Sequence, residues 1–594
     1  MRFIRKSLYT LLCLLVLAVI IIYFVAQTSY AAKWISQWVN DNSPYQLSLG
    51  NLDYSITEPS QLILHNVELS QQKQPTLLKA EKVTLGLTSS LWQPKLHFST
   101  LELENGTLSL SAKTAISLAV SSDRFQLRNM AVNLETPDIT LQGERVNGGI
   151  IPWVLSADPL PDSDNHFEFS ADKLLLNGIE THKALIQGDV DNQQIIFNNV
   201  GADLANGLLT GSGKRNAEGH WIVDNLRLSD VKYQSQQTLS QLFEQIEQLT
   251  GHTDITLNRL DLLNANIQGT DWAFSDLSLS VKDLMLVKGN WQAQSGTINM
   301  NAYDVVYGNQ HLVSPVLNLG LEDNNVKIKQ FSSRWQDGLV RASGIWQQDS
   351  QALTLDDVAL TSLLYTLPKD WLTELKQTPP NWLRELHITK FTTNRSILID
   401  INPEFPFQFT ALDSNGSDLY LIKDHQFGIW GGQLSFNASE ATLNKIDLRH
   451  PSVILTATPE AITVSEMSAF TKEGLIEGKV TLGQQPERTL NLALSGRSVP
   501  VNILQSWGWQ SIPLQGNGNI NLQLSGNLVD RQTSDSKLKG SLKMVNDTGQ
   551  MLTQYPLSQV EIPVEPDISV PEVPNSEEET PATTPEVPQE SPFG

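Results

Sequence analysis

A gapless repeat constrains this chain more than any other feature. Residues 326–346 read Val-Lys-Ile-Lys-Gln-Phe-Ser-Ser-Arg-Trp-Gln-Asp-Gly-Leu-Val-Arg-Ala-Ser-Gly-Ile-Trp, and the pattern recurs when Gly207, Gly338 and Gly474 are set in register. Before each Gly, apolar residues stand at matching places: Ile195, Phe197 and Val200; Val326, Ile328 and Phe331; Ile462, Val464 and Met467. After it the chain alternates. One parity carries Leu209, Gly211 and Gly213, then Val340, Ala342, Gly344 and Trp346, then Ile476, Gly478, Val480 and Leu482. The other carries Thr210, Arg341 and Glu477. Alternation at period two marks a strand with one apolar and one wet face. The Gly fits a turn that needs positive φ. The unit reads as strand, turn, strand, and its repetition predicts an extended, sheet-built protein rather than a compact enzyme.

Before the sheet comes an anchor. Arg2, Arg5 and Lys6 precede residues 7–26, which carry no charge and are dense in Leu, Ile and Val. Twenty residues at ~1.5 Å rise span a ~30 Å hydrocarbon core. The cations put residues 1–6 in the cytoplasm and the bulk of the chain across the membrane. The competing reading is a cleaved signal peptide, whose apolar region usually runs to only ~7–15 residues. Residues 27–44 read as a juxtamembrane helix. Trp34, Ile35, Trp38 and Val39 fall on one face at helical spacing, suited either to an interfacial aromatic belt or to packing on the first strands.

Strands dominate the β-repeat body, 45–490. Asn105-Gly106 inside 96–110 is a hairpin signal. Two helical interruptions are expected. In 238–249, Leu239, Leu242, Phe243, Ile246 and Leu249 make an amphipathic stripe; in 369–386, Pro379-Pro380 splits the segment into two short helices. A further helix is expected over 500–508. Tyr420, Ile422, Leu434 and Phe436 outline a degraded fourth copy around Gly432. The end of the chain, 549–594, reads as a disordered acidic tail. From Met551 to Gly594 it holds nine Pro, nine Asp or Glu and no Lys or Arg, too little apolar surface to fold alone.

Little in the chain suggests chemistry. The net charge of −23 argues against nucleic acid, since phosphate binding needs clustered cations. Cys13 is the only cysteine, so no intramolecular disulfide forms. The ten His are scattered and no HExxH occurs, which leaves no metal site to propose. Gly211-Ser-Gly213-Lys214 fails as a phosphate loop, because Arg215 stands where Ser or Thr should hold magnesium and Leu208 where the first Gly should be. We therefore expect neither enzyme nor cofactor.

Residues 494–509 read Leu-Ser-Gly-Arg-Ser-Val-Pro-Val-Asn-Ile-Leu-Gln-Ser-Trp-Gly-Trp, and 512–526 read Ile-Pro-Leu-Gln-Gly-Asn-Gly-Asn-Ile-Asn-Leu-Gln-Leu-Ser-Gly. With the anchor and the repeats, this resembles the AsmA family of Gram-negative bacteria over about residues 1–545. Val501, Leu504, Pro513, Leu514, Gly516, Gly518 and Leu522 match its strand, V-x-x-L-L helix and P-L-x-G-x-G-x-x-x-L strand; Gln505 departs from the second Leu. On that resemblance, 491–548 is the AsmA-like C-terminal region. It implies a single-pass protein of the cell inner membrane with a periplasmic body, related to chorein-like bridge proteins whose rolled sheet carries phospholipid toward the outer membrane. The expected fold is mainly β: a membrane-anchored, elongated, curled antiparallel sheet of repeated amphipathic hairpins with a few short helices. Lipid-groove candidates are Leu209, Val340, Ala342, Trp346, Ile476, Gly478, Val480 and Leu482. The same apolar face could instead be a filled core. The alternative function is a non-enzymatic scaffold that contacts outer-membrane or other envelope proteins through its sheet edges.

Overall fold

Alternation in the sequence becomes strand in the structure. The computed structural model describes residues 29–556, apart from 56, 72–74, 89–95, 112–119, 136–139, 155–163, 192, 293, 487 and 529–537. Within them the protein is mainly β, one sheet of 36 strands. Pairing follows chain order. It starts at Tyr45–Ser48 and Asn51–Tyr54, both on Gln61–Gln71, and ends at Met551–Gln554 on Lys539–Asn546. No described helix is long and apolar enough to cross a membrane, and the expected span at 7–26 lies outside the described residues. So do 557–594, most of the expected tail. Met551–Gln554, assigned to that tail, adds the last strand of the sheet instead.

The three repeat copies share one geometry. Each pairing ladder slips at the same place, between Phe197 and Val200, between Ile328 and Phe331, and between Val464 and Met467. The turns differ from expectation. Gly207 and Gly338 do not supply the positive φ; the two residues before each do, Ala205 and Asn206 at 48° and 62°, Gln336 and Asp337 at 49° and 61°. Glycine is needed for space. A Cβ at Gly207, Gly338 or Gly474 would run into the carbonyl oxygen of Ser229, Thr361 or Arg497. In each copy the neighbouring strand swings in just beyond that carbonyl through a left-handed residue, Asp230, Ser362 or Ser498. The fourth copy does not hold. Gly432 lies inside the strand Gln426–Asn437, and the turn falls at Asp424 and His425.

The sheet is not wholly antiparallel. Leu96–Ser111 pairs in parallel with Phe125–Glu135, Trp221–Ser229 with Ile255–Gln268, and Ala352–Thr361 with Glu385–Asp400. The last two joints follow the first two repeat copies, and both connections carry the helical interruptions. A long connection returns the chain to the end it started from, so the next strand runs parallel. Leu239–Thr250 is a helix as expected, opened by a reciprocal Thr238–Gln241 cap. In 369–386 only Trp371–Glu374 is helical; the stretch after Pro379-Pro380 is not. The helix expected over 500–508 narrows to Ile503–Ser506. Leu96–Ser111 also overturns the hairpin at Asn105-Gly106: it is one continuous strand. Asn105 takes φ 54° within it, and Gly106 lets the backbone of Lys79 approach. Asn-Gly here supplies a left-handed residue inside a strand that stays in register with both neighbours, rather than a turn.

Candidate functional site

Because the side-chain period is two, strand register decides whether apolar parities line up across the sheet. Here they do. One cross-strand row begins at Leu52, Leu64, Val83, Leu103, Leu127, Gly148 and Phe169. It goes on through Ile186, Val200, Gly211, Leu226, Leu260, Val281 and Ile298. It ends with Leu319, Ile328, Gly344, Leu355, Ile388 and Leu419. Every member is apolar or glycine. The row crosses twenty strands, and at about 4.8 Å per strand it runs for roughly 90 Å along the sheet.

A second row lies two residues away on the same face, or three in the strands from Asn325–Trp335 to Phe407–Lys423, apart from Gly338–Gln347. It passes Leu209, Leu228, Leu262, Leu279, Met300 and Leu317. It then takes Phe331, Ala342, Val358, Phe391, Gly416 and Leu434. Leu455, Val464, Val480, Leu492, Leu524 and Gly540 carry it to the far end. The bulges keep both rows in phase, because a slip of one residue would turn a strand's apolar set outward. Polar neighbours take the other face, where Lys82–Glu104 at 3.0 Å, Arg128–Glu102 at 2.9 Å and Arg497–Glu477 at 2.8 Å pair.

The two ends of this face differ. At the C-terminal end the segment after Pro500 folds back onto it. Val501, Ile503, Leu504, Ile512 and Leu514 pack with Ile476, Val499, Ile520, Leu522, Leu542 and Met544 into a filled core. At the N-terminal end the sheet curls around a cavity of about 720 Å³. Its walls include Val83, Leu103, Leu127, Phe169 and Ile186 from the first row, with Ala171 and Ala184 beside them; Ser170 is the one wall residue that is not hydrophobic. Val39 of the helix Ser29–Asn42 also contributes. The volume lies in the range of ligand pockets, and a cavity with such walls takes hydrocarbon better than water. Between the ends most row residues are half-buried, while Val281, Val358, Ile388 and Leu419 are buried.

All eight sequence candidates lie on this face. Leu209, Ala342 and Val480 belong to one row. Val340 pairs with Leu360, Gly478 with Leu494 and Leu482 with Leu490. Trp346 pairs with Leu353, and its indole donates to the Trp382 carbonyl at 3.2 Å. Ile476 is 5% exposed inside the C-terminal core. None of the eight lines the cavity. Its wall comes from strands recognised by alternation at 82–87, 125–134, 167–176 and 184–190, but outside the repeat that drew attention. The small residues Ala171 and Ala184 on the apolar parity were the available signal.

Titratable groups do not converge on this face. Among the described residues no group of three or more His, Cys, Asp or Glu is placed to hold a metal. The shifted carboxylates sit in local pairs. Burial pushes Asp261 up, but hydrogen bonds from Ser280 at 2.8 Å and Arg259 at 2.7 Å, with the charges of Arg259 and Arg227, hold it below the ordinary carboxylate range. Hydrogen bonds from His166 and Asn198 lower Asp189, and the Arg384 guanidinium lowers Asp424.

No family model matches the chain. It is 41% identical over 555 residues to the AsmA family protein YicH of Escherichia coli (strain K12), an alignment covering 93% of this chain and 97% of that protein.

Proposed function

We propose, from the premise that the chain belongs to the AsmA family, that it is a non-enzymatic protein anchored in the inner membrane. Its periplasmic sheet holds phospholipid acyl chains along the apolar face and serves outer-membrane lipid homeostasis. The observation that carries this reading is the unbroken pair of rows. An acyl chain leaving a bilayer for water loses ~0.8 kcal/mol per methylene. A continuous apolar strip offsets that cost at every step, whereas a single polar row would interrupt it. The cavity at the N-terminal end would receive the chains and the half-buried stretches of the middle would pass them on. Such a strip gives passage without direction, because a site that binds cargo equally at each step shifts no equilibrium.

A photo-crosslinking residue tests the reading in cells. At Met300 and Ala342, on the row, it should capture phospholipid. At Asn299 and Arg341, exposed on the other parity, it should not. Equal labelling of both pairs, or none at Met300 and Ala342 in a folded protein, would overturn it. Ile476 is a poor probe site, since its face is filled by protein.

A further inference from the structure

The helix Ser29–Asn42 has two apolar faces. At ~100° per residue, Ala32, Ile35 and Val39 lie within one narrow stripe. Ala32 is 0% exposed, Ile35 packs on the N-terminal core and Val39 lines the cavity. About a third of a turn away, Tyr30, Trp34 and Trp38 follow at intervals of four and stand 77%, 68% and 59% exposed. The sequence spacing had put Trp34 and Trp38 on one face with Ile35 and Val39; the structure divides them, aliphatic inward and aromatic outward. The outward set is wholly amphipathic aromatic: one phenol and two indoles, each with an apolar body and a polar handle.

We infer that this outer face seats on the surface of a lipid bilayer, with Tyr30, Trp34 and Trp38 at the level between headgroups and acyl chains. Three observations choose this occupant over a protein. Tyr and Trp are the side chains that gather at that depth. The uncharged run 7–26 ends just before the helix, so a bilayer holding that run lies within reach of its first turn. The helix carries only Lys33 and Asp41 as charges, so nothing on it resists an interfacial position. The same helix then closes the cavity on one side and rests on the membrane with the other. A helix is ~10–12 Å across with its side chains, so the cavity wall that Val39 contributes stands about one helix width above the acyl layer. A lipid would cross only that distance between the bilayer and an apolar wall. The inference rests on the anchored reading proposed above.

The test uses the full chain, with Cys13→Ser, reconstituted into phosphatidylethanolamine–phosphatidylglycerol vesicles. Single cysteines at Trp34 or Trp38 carry a nitroxide, and power saturation compares collisions with oxygen and with a water-soluble nickel complex. Labels at Val16 and Asn299 report hydrocarbon and water. Oxygen collisions exceeding nickel collisions several-fold at 34 and 38, but less than at 16, are expected. Water-like values at 34 and 38 with hydrocarbon values at 16 would refute the seat and leave the anchor standing. Water-like values at 16 as well would refute both. Protection from both collision partners at 34 and 38 would show that protein covers the face, and would also refute the seat. Strand-dominated circular dichroism in each variant guards against misfolding, and both substituted side chains are exposed.

Discussion

Truncating one leucine at each part of the apolar face separates a filled core from a cargo surface. Leu542 is 0% exposed in the C-terminal core. Leu542→Ala removes its transfer energy and leaves a void among Ile503, Leu522 and Met544, at a cost of about 2–5 kcal/mol. Leu319 stands in the first row, half-buried. A fully buried leucine is worth about 1.5–3 kcal/mol over an exposed one, so Leu319→Ala should lose about half of that, roughly 1 kcal/mol. No cavity penalty follows where cargo or solvent can replace the lost atoms. Amide hydrogen exchange on each purified variant reads the difference locally. At ~1.4 kcal/mol per tenfold, exchange through Asn517–Asn527 and Lys539–Asn546 should accelerate by roughly 30-fold to several thousand-fold. Around Gln310–Glu322 it should accelerate about fivefold. Equal, large losses at both places would show that the middle of the sheet is packed as tightly as its end, and the cargo surface would fall.

Four shorter predictions follow from other sites. Gly474→Ala drives a Cβ into the Arg497 carbonyl and should lower stability by about 2 kcal/mol or more; an unchanged melting temperature would refute the close-approach account of the repeat glycine. Ala184→Phe should fill the cavity and lower the phospholipid recovered with the protein by mass spectrometry, while recovery equal to that of the parent would show that lipid does not occupy it. Asp261 has a folded pKa held below its unfolded value, so its stabilisation is present above about pH 4 and fades as the pH falls through the folded value. The difference in melting temperature between parent and Asp261→Asn should therefore shrink in acid, and a constant difference would refute the pairing. Deleting 557–594 should leave the melting temperature unchanged, since the last described strand ends at Gln554; a large fall would show that the deleted segment docks.

The sequence by itself determined the strands and their faces. Period-two alternation is local, so Leu209, Ala342 and Val480 could be placed on one parity without knowing what lay beside them. The three repeat glycines were legible for the same reason, though not their purpose: the collision they avoid is with a carbonyl about 22 residues further along the chain. Chain direction was not legible. The helical stripe at 239–249 was visible, but whether the following strand would pair parallel or antiparallel depends on which end of the sheet the connection returns to. Asn105-Gly106 shows the limit most clearly. Its left-handed tolerance serves a turn or a kinked residue inside a strand equally, and only the partner strand, with Lys79 pressed against Gly106, selects the strand. The same holds for core against hollow. Ile476 and Ala184 both sit on the apolar parity, and no local property separates them. The tertiary structure alone lays Ile503 and Leu504 over the first and leaves a cavity of about 720 Å³ before the second, because burial is set by what the rest of the chain brings to a face and not by the face itself.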